Sequence, residues 1–275
     1  MSARAVVVSV VATAFLALSA CGGPSPDTAS TSDAITHGTL DGDAHPAVAL
    51  LLMDVAGQPA FRYSGTFIAP TVFLTAGHCA GEPGEFSGMR VFAESDVQSD
   101  PTYPFAGGPH TIEATEWHSH PLFTEAQFFL HDVGVVLLSE PYTLPAGSHY
   151  GQPPSANQLE ALKPSAATTF TAVGYGLQRI NPAHVVSQKI RMDAMPHLVQ
   201  IDTGFTGTFS LLLSNNAATG GTCFGDSGGP NYLGDSNTIA GVTSFGLNGS
   251  CGGTGGVFRL DRQDVLDFVG QYLSP

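Results

Sequence analysis

The stretch Thr222-Cys223-Phe224-Gly225-Asp226-Ser227-Gly228-Gly229-Pro230 sets one serine between glycines. A serine hydroxyl is a weak nucleophile at neutral pH, so acyl transfer requires a neighbouring base and backbone N–H groups that stabilise an oxyanion. Gly225 and Gly228 let the chain present such N–H groups without a side chain in the substrate's way. A glycine-rich surface turn is the alternative, because the chain contains 33 glycines. Other stretches must therefore supply the base and its partner.

Two further stretches offer that base and its partner. His78 lies in Thr75-Ala76-Gly77-His78-Cys79, which follows an apolar run at 71–74 and thus a predicted strand end. Asp132 precedes the almost wholly apolar run 133–138, and a carboxylate buried there must be paired. In isolation, His78 also fits an ordinary surface histidine, and Asp132 also fits a helix or turn cap. The catalytic interpretation depends on the three motifs occurring together.

The order His78, Asp132, Ser227 and the residues around each of them resemble the chymotrypsin and trypsin family of serine proteases. The resemblance covers roughly residues 35 to 275. It implies a serine endopeptidase in which Ser227 attacks the scissile carbonyl, His78 acts as the base and Asp132 orients His78. It also implies an oxyanion hole formed by the backbone N–H groups of Gly225 and Ser227.

The same resemblance implies an all-β fold of two packed six-stranded antiparallel β-barrels with a C-terminal α-helix. Short apolar runs separated by Gly, Pro, Asn and Asp agree with it. We expect barrel 1 over about 35–145, barrel 2 over about 160–260 and a proline-rich connection over 141–164. The helix is predicted over about 261–273, with Asp261 as its cap and an apolar stripe of Val265, Phe268, Val269 and Tyr272.

The resemblance also assigns the residues that bind substrate. Gly221 corresponds to the floor of the primary pocket, and Gly246 and Gly256 correspond to its walls. Ser244, Phe245 and Gly246 resemble the segment that pairs with an extended substrate, and the serine hydroxyl there supports the buried aspartate. No aspartate stands at the floor position, so we expect an open, uncharged pocket that prefers large apolar or aromatic residues.

The N-terminal residues read as an export signal. Residues 1–20 combine one basic residue, a short apolar run and small residues at the end. The sequence Leu18-Ser19-Ala20-Cys21 looks like a bacterial lipoprotein signal with Cys21 as the lipidated residue, and ordinary secretory cleavage near Ala20 is the alternative. Residues 21–34 read as a flexible tether or propeptide. The exported protein is then anchored to the cell envelope or released outside the cell.

Activation is predicted at Ile35. In the family, a new N-terminus inserts and pairs with the aspartate before the nucleophile, which here is Asp226. Ile35-Thr36-His37-Gly38 stands where that terminus belongs, but Ala34 offers no basic residue for a trypsin-like activator. Either another protease cuts there and releases a tethered zymogen, or Asp226 has a different partner.

The cysteine pattern is incomplete relative to the family. Cys223 and Cys251 match positions that form a disulfide beside the specificity pocket. Closing that loop would contribute roughly 3 to 4 kcal/mol in the chain-entropy model. The usual partner of Cys79 is replaced by Tyr63, so we expect Cys79 to be a free, buried thiol, with an intermolecular disulfide as the alternative.

Composition limits the partners. Charged residues make up 12% of the chain, and its net charge is −14 with nine basic residues. We therefore expect no nucleic acid and no anionic membrane as a partner, and membrane contact only through a lipid at Cys21. The expected partners are protein or peptide substrates of a monomer. Triad hydrolysis needs neither a metal nor an organic cofactor.

Two other functions compete with proteolysis. A pseudo-protease would use the fold only as a binding module, but such a module has no need for His78, Asp132, Ser227 and Gly225 together. An esterase without proteolytic activity would use the same residues, and comparing ester with protein substrates distinguishes it.

Overall fold

The structure is a computed structural model, and it describes residues 34–181, 184–204 and 206–273. The predicted signal peptide, the lipidation candidate Cys21 and all of the predicted tether except Ala34 lie outside the described residues.

Six antiparallel strands between Val48 and Leu138 form a closed barrel. The first seven residues of its first strand are all buried, which explains why that strand is a nearly continuous apolar run. A two-residue strand, β1 (Thr39–Leu40), precedes the barrel. The barrel strands are β2 (Val48–Val55), β3 (Gln58–Ala69), β4 (Val72–Thr75), β5 (Gly88–Phe92), β6 (Thr111–Ser119) and β7 (Gly134–Leu138), in the spatial order β2-β3-β4-β7-β6-β5.

A second barrel lies between Ser165 and Arg259 and closes where its first strand pairs with the strand that follows the serine motif. Its strands are β8 (Ser165–Gly174), β12 (His197–Thr203), β13 (Gly207–Asn215), β14 (Pro230–Leu233), β15 (Ile239–Gly246) and β16 (Gly253–Arg259). Beside it lie the ribbon β9 (Arg179–Asn181) and β10 (His184–Val186), and β11 (Met192–Ala194), which joins β8 to β1. The prediction of two six-stranded barrels is confirmed.

Helices are few and short. They are α1 (Gly77–Ala80) and the C-terminal helix α2 (Gln263–Leu273), with 3-10 turns at Val97–Ser99, Glu125–Gln127 and Gln158–Ala161. Val265, Phe268 and Val269 form the buried face of α2, so the predicted C-terminal helix is confirmed. Within the described ranges, no helix has the length and apolar character needed to cross a bilayer.

Asp261 does not act as the predicted helix cap. The helix begins at Gln263, and the fully buried Asp261 carboxylate instead accepts the Leu159 N–H at 2.8 Å and both Nε and Nη2 of Arg259 at 3.0 Å. A buried carboxylate requires such partners. Asp261 therefore connects the segment between the barrels to the end of β16.

The N-terminal segment packs against the second barrel. Ile35 is fully buried beside Met192 and Ala194. The Thr36 hydroxyl donates to the Asn215 side chain at 2.7 Å, and Thr36 bridges to Gly221. The turn Ala34–His37 is strained, because Ile35 has φ 46°, a region that a β-branched residue rarely adopts.

Candidate active site

His78 and Asp132 meet where two strands of the first barrel end. His78 follows β4 in α1, and Asp132 lies two residues before β7, the strand that pairs with β4. The His78 Nδ1 atom lies 3.0 and 3.1 Å from the two Asp132 oxygens, and the His78 backbone N–H donates to Asp132 at 2.9 Å. This leaves Nε2 of the ring available to the cleft.

Asp132 is fully buried and receives a further donor from the second barrel. The Ser244 hydroxyl donates a short hydrogen bond to Asp132 Oδ2. Hydrogen bonds from His78 and Ser244 together compensate for removing the carboxylate from water. The two barrels therefore share this carboxylate.

The charge of Asp132 sets the proton affinity of His78. Burial of the ring opposes protonation, but the nearby Asp132 carboxylate, with a smaller contribution from Cys79, raises the pKa of His78 well above its ordinary value. A proton taken up by Nε2 is thus stabilised, as a general base requires.

Glycine is required on both sides of Ser227. Gly225 has φ 96° and Gly228 has φ 78°, conformations that other residues rarely adopt. A Cβ atom at Gly228 would lie 2.0 Å from the Thr75 hydroxyl and 2.5 Å from the Ser64 carbonyl oxygen. The glycines predicted from sequence therefore serve both the turn and its close packing on the first barrel.

Two backbone N–H groups of this turn are open to a ligand. Asp226, Gly228 and Gly229 all donate to backbone carbonyls. Among the described residues, the N–H groups of Gly225 and Ser227 have no acceptor. Both residues line the cleft that contains His78, so an oxygen that becomes negatively charged there meets two unpaired donors.

The cleft has a volume of about 490 Å³. His78, Ser227, Gly225 and the predicted substrate segment Ser244, Phe245 and Gly246 all line it. Tyr63 lines it as well, together with residues to which the sequence assigned no role: Glu125, Phe128, Thr222, Phe224 and Thr243. Phe128 and Phe224 are 40% and 53% exposed, so aromatic surface is available to a substrate.

Two predicted pocket residues lie behind the lining. A Cβ atom at Gly221 would lie 2.4 Å from the Asn215 side chain, and one at Gly256 would lie 2.4 Å from the Phe245 ring. The cleft wall at these points is formed by their neighbours Thr222 and Phe245. Gly221 and Gly256 therefore permit close packing behind the pocket surface.

The structure joins Cys223 to Cys251 by a disulfide, and both residues line the cleft. Cys79 is a buried free thiol, as the sequence predicted. The rings of Tyr63 and His78 pack in a T-shaped arrangement, with an interplanar angle of 87° and centroids 5.5 Å apart. Tyr63 thus occupies the position beside His78 that the resemblance assigned to a cysteine.

Asp226 is fully buried behind the serine turn. One carboxylate oxygen accepts the Gly176 N–H at 2.7 Å and the other accepts the Cys223 N–H at 2.8 Å. Burial raises the pKa of Asp226 to about 7, although these two hydrogen bonds and Arg62 lower it. A positive group brought next to Asp226 would favour its ionised form.

Among the residues that the structure describes, one group of possible metal ligands lies away from the cleft. His120, His131 and Asp264 bring ligand atoms within 4.8 Å of one another. The two imidazole rings stack at 13°, so the lone pairs of their nitrogens lie in nearly parallel planes, and His120 Nδ1 already accepts the Leu122 N–H at 3.2 Å. These residues do not form a converging ligand set.

Comparison with known proteins agrees with this architecture. The family model described as Trypsin matches residues 56–265. The chain is 29% identical to brachyurin of Leptuca pugilator over 193 residues, which are 68% of this chain and 76% of brachyurin. It is also similar to the solved structure of HL collagenase, with a TM-score of 0.68 and 20% identity over 86% of this chain and 98% of that one.

Proposed function

Because this chain belongs to the trypsin family of serine proteases, we propose that it is an exported serine endopeptidase with His78, Asp132 and Ser227 as its catalytic triad. One observation carries the proposal. His78, oriented by Asp132 through Nδ1, lines the same cleft as Ser227 and two unpaired backbone N–H groups. Base, nucleophile and oxyanion donors are the three components of acyl transfer.

The reaction proceeds in two halves. His78 Nε2 takes the proton of the Ser227 hydroxyl while Oγ bonds to the scissile carbonyl carbon, and the N–H groups of Gly225 and Ser227 bind the oxyanion. His78 then protonates the leaving amine as the C–N bond breaks, which leaves an acyl-enzyme. Water attacks that ester, gives its proton to His78, and Ser227 recovers the proton as the acid product leaves.

The primary pocket is proposed to prefer large apolar or aromatic side chains. The supporting observation is the lining around it, in which Phe224 and Phe245 offer aromatic surface and Glu125 is the single carboxylate among the described lining residues. An apolar pocket binds such side chains by removing them from water. The expected substrates are proteins or peptides, and the enzyme acts as a monomer without a cofactor.

Export and anchoring are proposed from residues 1–34. The apolar run and the small residues before Cys21 support secretion with lipid attachment at Cys21. The tether then holds the protease domain at the cell envelope until it is cut.

Cleavage before Ile35 is proposed to activate the enzyme. Ile35 already lies buried on the second barrel. Its φ angle of 46° includes the carbonyl carbon of Ala34, so cutting the peptide bond between Ala34 and Ile35 removes this backbone strain. The new ammonium group would pair with Asp226, whose two described hydrogen bonds both come from backbone N–H groups. The pair would hold the serine turn in its active conformation.

Intact mass after treatment with a fluorophosphonate, which modifies activated serines, tests both parts of the proposal. We expect a mass gain on a chain that begins at Ile35 and no gain for Ser227→Ala, because Ser227 is the nucleophile. A gain on the uncut chain would keep the protease and discard the zymogen. No gain on a chain that begins at Ile35 would favour the binding module instead.

A further inference from the structure

Ser64 connects the first barrel to the turn that carries Ser227. It lies in β3 and is fully buried. Its hydroxyl accepts the Tyr175 N–H at 2.9 Å and donates to the Gly225 carbonyl oxygen at 2.9 Å. Its own N–H donates to the Ser227 carbonyl oxygen at 2.9 Å. One residue of barrel 1 thus binds both residues whose N–H groups are proposed to form the oxyanion hole.

The Gly225 backbone needs such a restraint. Glycine rotates more freely than other residues, and Gly225 adopts φ 96°, where a side chain would be strained. The Gly225 carbonyl belongs to the peptide group between Gly225 and Asp226. This peptide group lies between the Gly225 and Ser227 N–H groups, so a hydrogen bond to its carbonyl restricts how these two donors are oriented relative to each other. The preceding peptide, which carries the Gly225 N–H, is held separately, because the Leu177 N–H donates to the Phe224 carbonyl oxygen at 2.8 Å. Without the Ser64 bond, the peptide between the two donors loses its side-chain restraint, and the angle between the Gly225 and Ser227 N–H groups can change.

The segment that donates to the Ser64 hydroxyl is also fixed. Tyr175 is 1% exposed, and its phenol donates to the Glu94 carbonyl oxygen at 2.6 Å. Its neighbour Gly176 donates its N–H to Asp226 at 2.7 Å. The segment that orients the Ser64 hydroxyl therefore also binds the residue before Ser227, and Ser64 is held from both sides.

From these contacts we infer that Ser64 is a positioning residue for the oxyanion hole: its hydroxyl, held by Tyr175, fixes the Gly225 peptide so that the two N–H groups face one point. The inference rests on the proposed function, because it presumes that Ser227 attacks a carbonyl there. Ser64 does not itself touch the substrate. Its effect should therefore appear when the oxyanion forms, and not when substrate binds.

The test compares Ser64→Ala with Thr66→Val in the chain that begins at Ile35. Thr66 is the matched control, since it lies two residues along the same strand, is fully buried, and bonds through its hydroxyl to Ala47 and Tyr232. Both variants lose a buried hydroxyl that joins neighbouring segments. Of these two residues, Ser64 contacts the turn that carries Ser227, and Thr66 does not.

For Ser64→Ala we expect kcat to fall about 10-fold, less than the 100- to 1000-fold loss that follows removal of an oxyanion donor itself. KM should stay within about 2-fold, as it does when an interaction is made only in the transition state. The affinity for a peptide boronic acid, whose tetrahedral adduct carries a charged oxygen, should fall with kcat. Thr66→Val should keep kcat, KM and boronate affinity.

The outcomes separate the two proposals. If wild type is active and Ser64→Ala keeps its kcat and boronate affinity while losing thermal stability like Thr66→Val, Ser64 is only structural and the inference is wrong. A wild-type chain from Ile35 that cleaves no peptide would overturn the proposed function and this inference with it. If Ser64→Ala does not fold, Ser64→Cys takes its place, because a thiol is a weaker donor and acceptor and should lower kcat in the same direction.

Discussion

At the scale of single residues, Asp132 is the carboxylate on which the proposed chemistry of the cleft depends. It is fully buried, faces both the ring and the backbone of His78, and accepts the Ser244 hydroxyl from the second barrel. Its negative charge is therefore poorly screened and acts mainly on His78. The proposed role of His78 as a base therefore depends on this one carboxylate.

The pH dependence of catalysis tests the charge of Asp132. His78 must be neutral to accept a proton, so kcat/KM should fall as the pH drops through its raised pKa, and the midpoint of the acid limb should lie above 6.5. Asp132→Asn should move the limb to lower pH and reduce kcat about 10,000-fold, as in the family template. Stopped assays from pH 5 to 9 would measure both effects.

The control for that profile is Asp96→Asn. Asp96 caps the short turn Val97–Ser99, where its side chain accepts the Ser99 N–H. Its substitution should leave the acid limb of the kcat/KM profile unchanged. A wild-type midpoint at or below 6.5 would contradict the prediction.

The triad candidates could be found from sequence because each stands in a short motif of its own. Ser64 could not, because Tyr175 and Gly225 lie 111 and 161 residues away and no local pattern marks its hydroxyl. Asp261 was misassigned for the same reason, since its partner Leu159 lies 102 residues away. Contacts between distant segments follow from the fold, which must be known first.

At the scale of elements, a buried ion pair connects the N-terminal segment to the second barrel. Arg191, just before β11, is 1% exposed and donates to Asp41 at 2.7 Å, to the Val48 carbonyl at 2.9 Å and to the Gly42 carbonyl at 2.6 Å. His45 makes a further short contact with Asp41. The guanidinium thus holds the start of the first barrel against the second.

Removing Asp41 should destabilise the whole domain. Asp41→Ala leaves Arg191 charged, buried and without its counterion, which typically costs about 3–5 kcal/mol of unfolding free energy. The exposed neighbour Asp43 is the matched control, and Asp43→Ala should stay within about 0.5 kcal/mol of wild type. Urea unfolding of the three proteins would measure the difference, and equal midpoints would contradict the prediction.

At the scale of the whole molecule, the candidate site exists only where the barrels meet. The first barrel supplies His78 and Asp132, and the second supplies Ser227 and Ser244. The sequence predicted this division through its family resemblance. It could not predict that Gly221 and Gly256 pack against Asn215 and Phe245, because these two side chains come from other strands, β13 and β15.

Cutting the chain before Ile35 should change how global stability depends on pH. The folded pKa of Asp226 is about 7 and the ordinary value is 3.8, so the folded uncut protein binds more protons than the unfolded one between these values. Its unfolding free energy should therefore fall with rising pH across this window, by about 4 kcal/mol. In the cut chain, most of this loss should disappear if the new ammonium group pairs with the Asp226 carboxylate as proposed.

Urea unfolding at pH 4 and pH 7.5, which spans this window, measures the effect for the uncut chain, the cut chain and uncut Asp226→Asn. The cut chain and the Asp226→Asn variant should both show less pH dependence than the uncut wild type. Parallel curves for the cut and uncut proteins would contradict pairing between Asp226 and the new terminus.

The pairing of β1 with β11 also affects the order of events during synthesis. Thr39 and Leu40 precede the first barrel, which is complete at Leu138, yet their partners Asp193 and Met192 leave the ribosome much later. Until then the segment around Ile35 has nothing to pack against, whereas in the finished domain Ile35 is fully buried. A processing protease that meets the exported chain before it has folded would find the bond before Ile35 accessible. One that meets the folded domain would have to wait for the segment to detach, so the proposed cut should be faster before folding than after it.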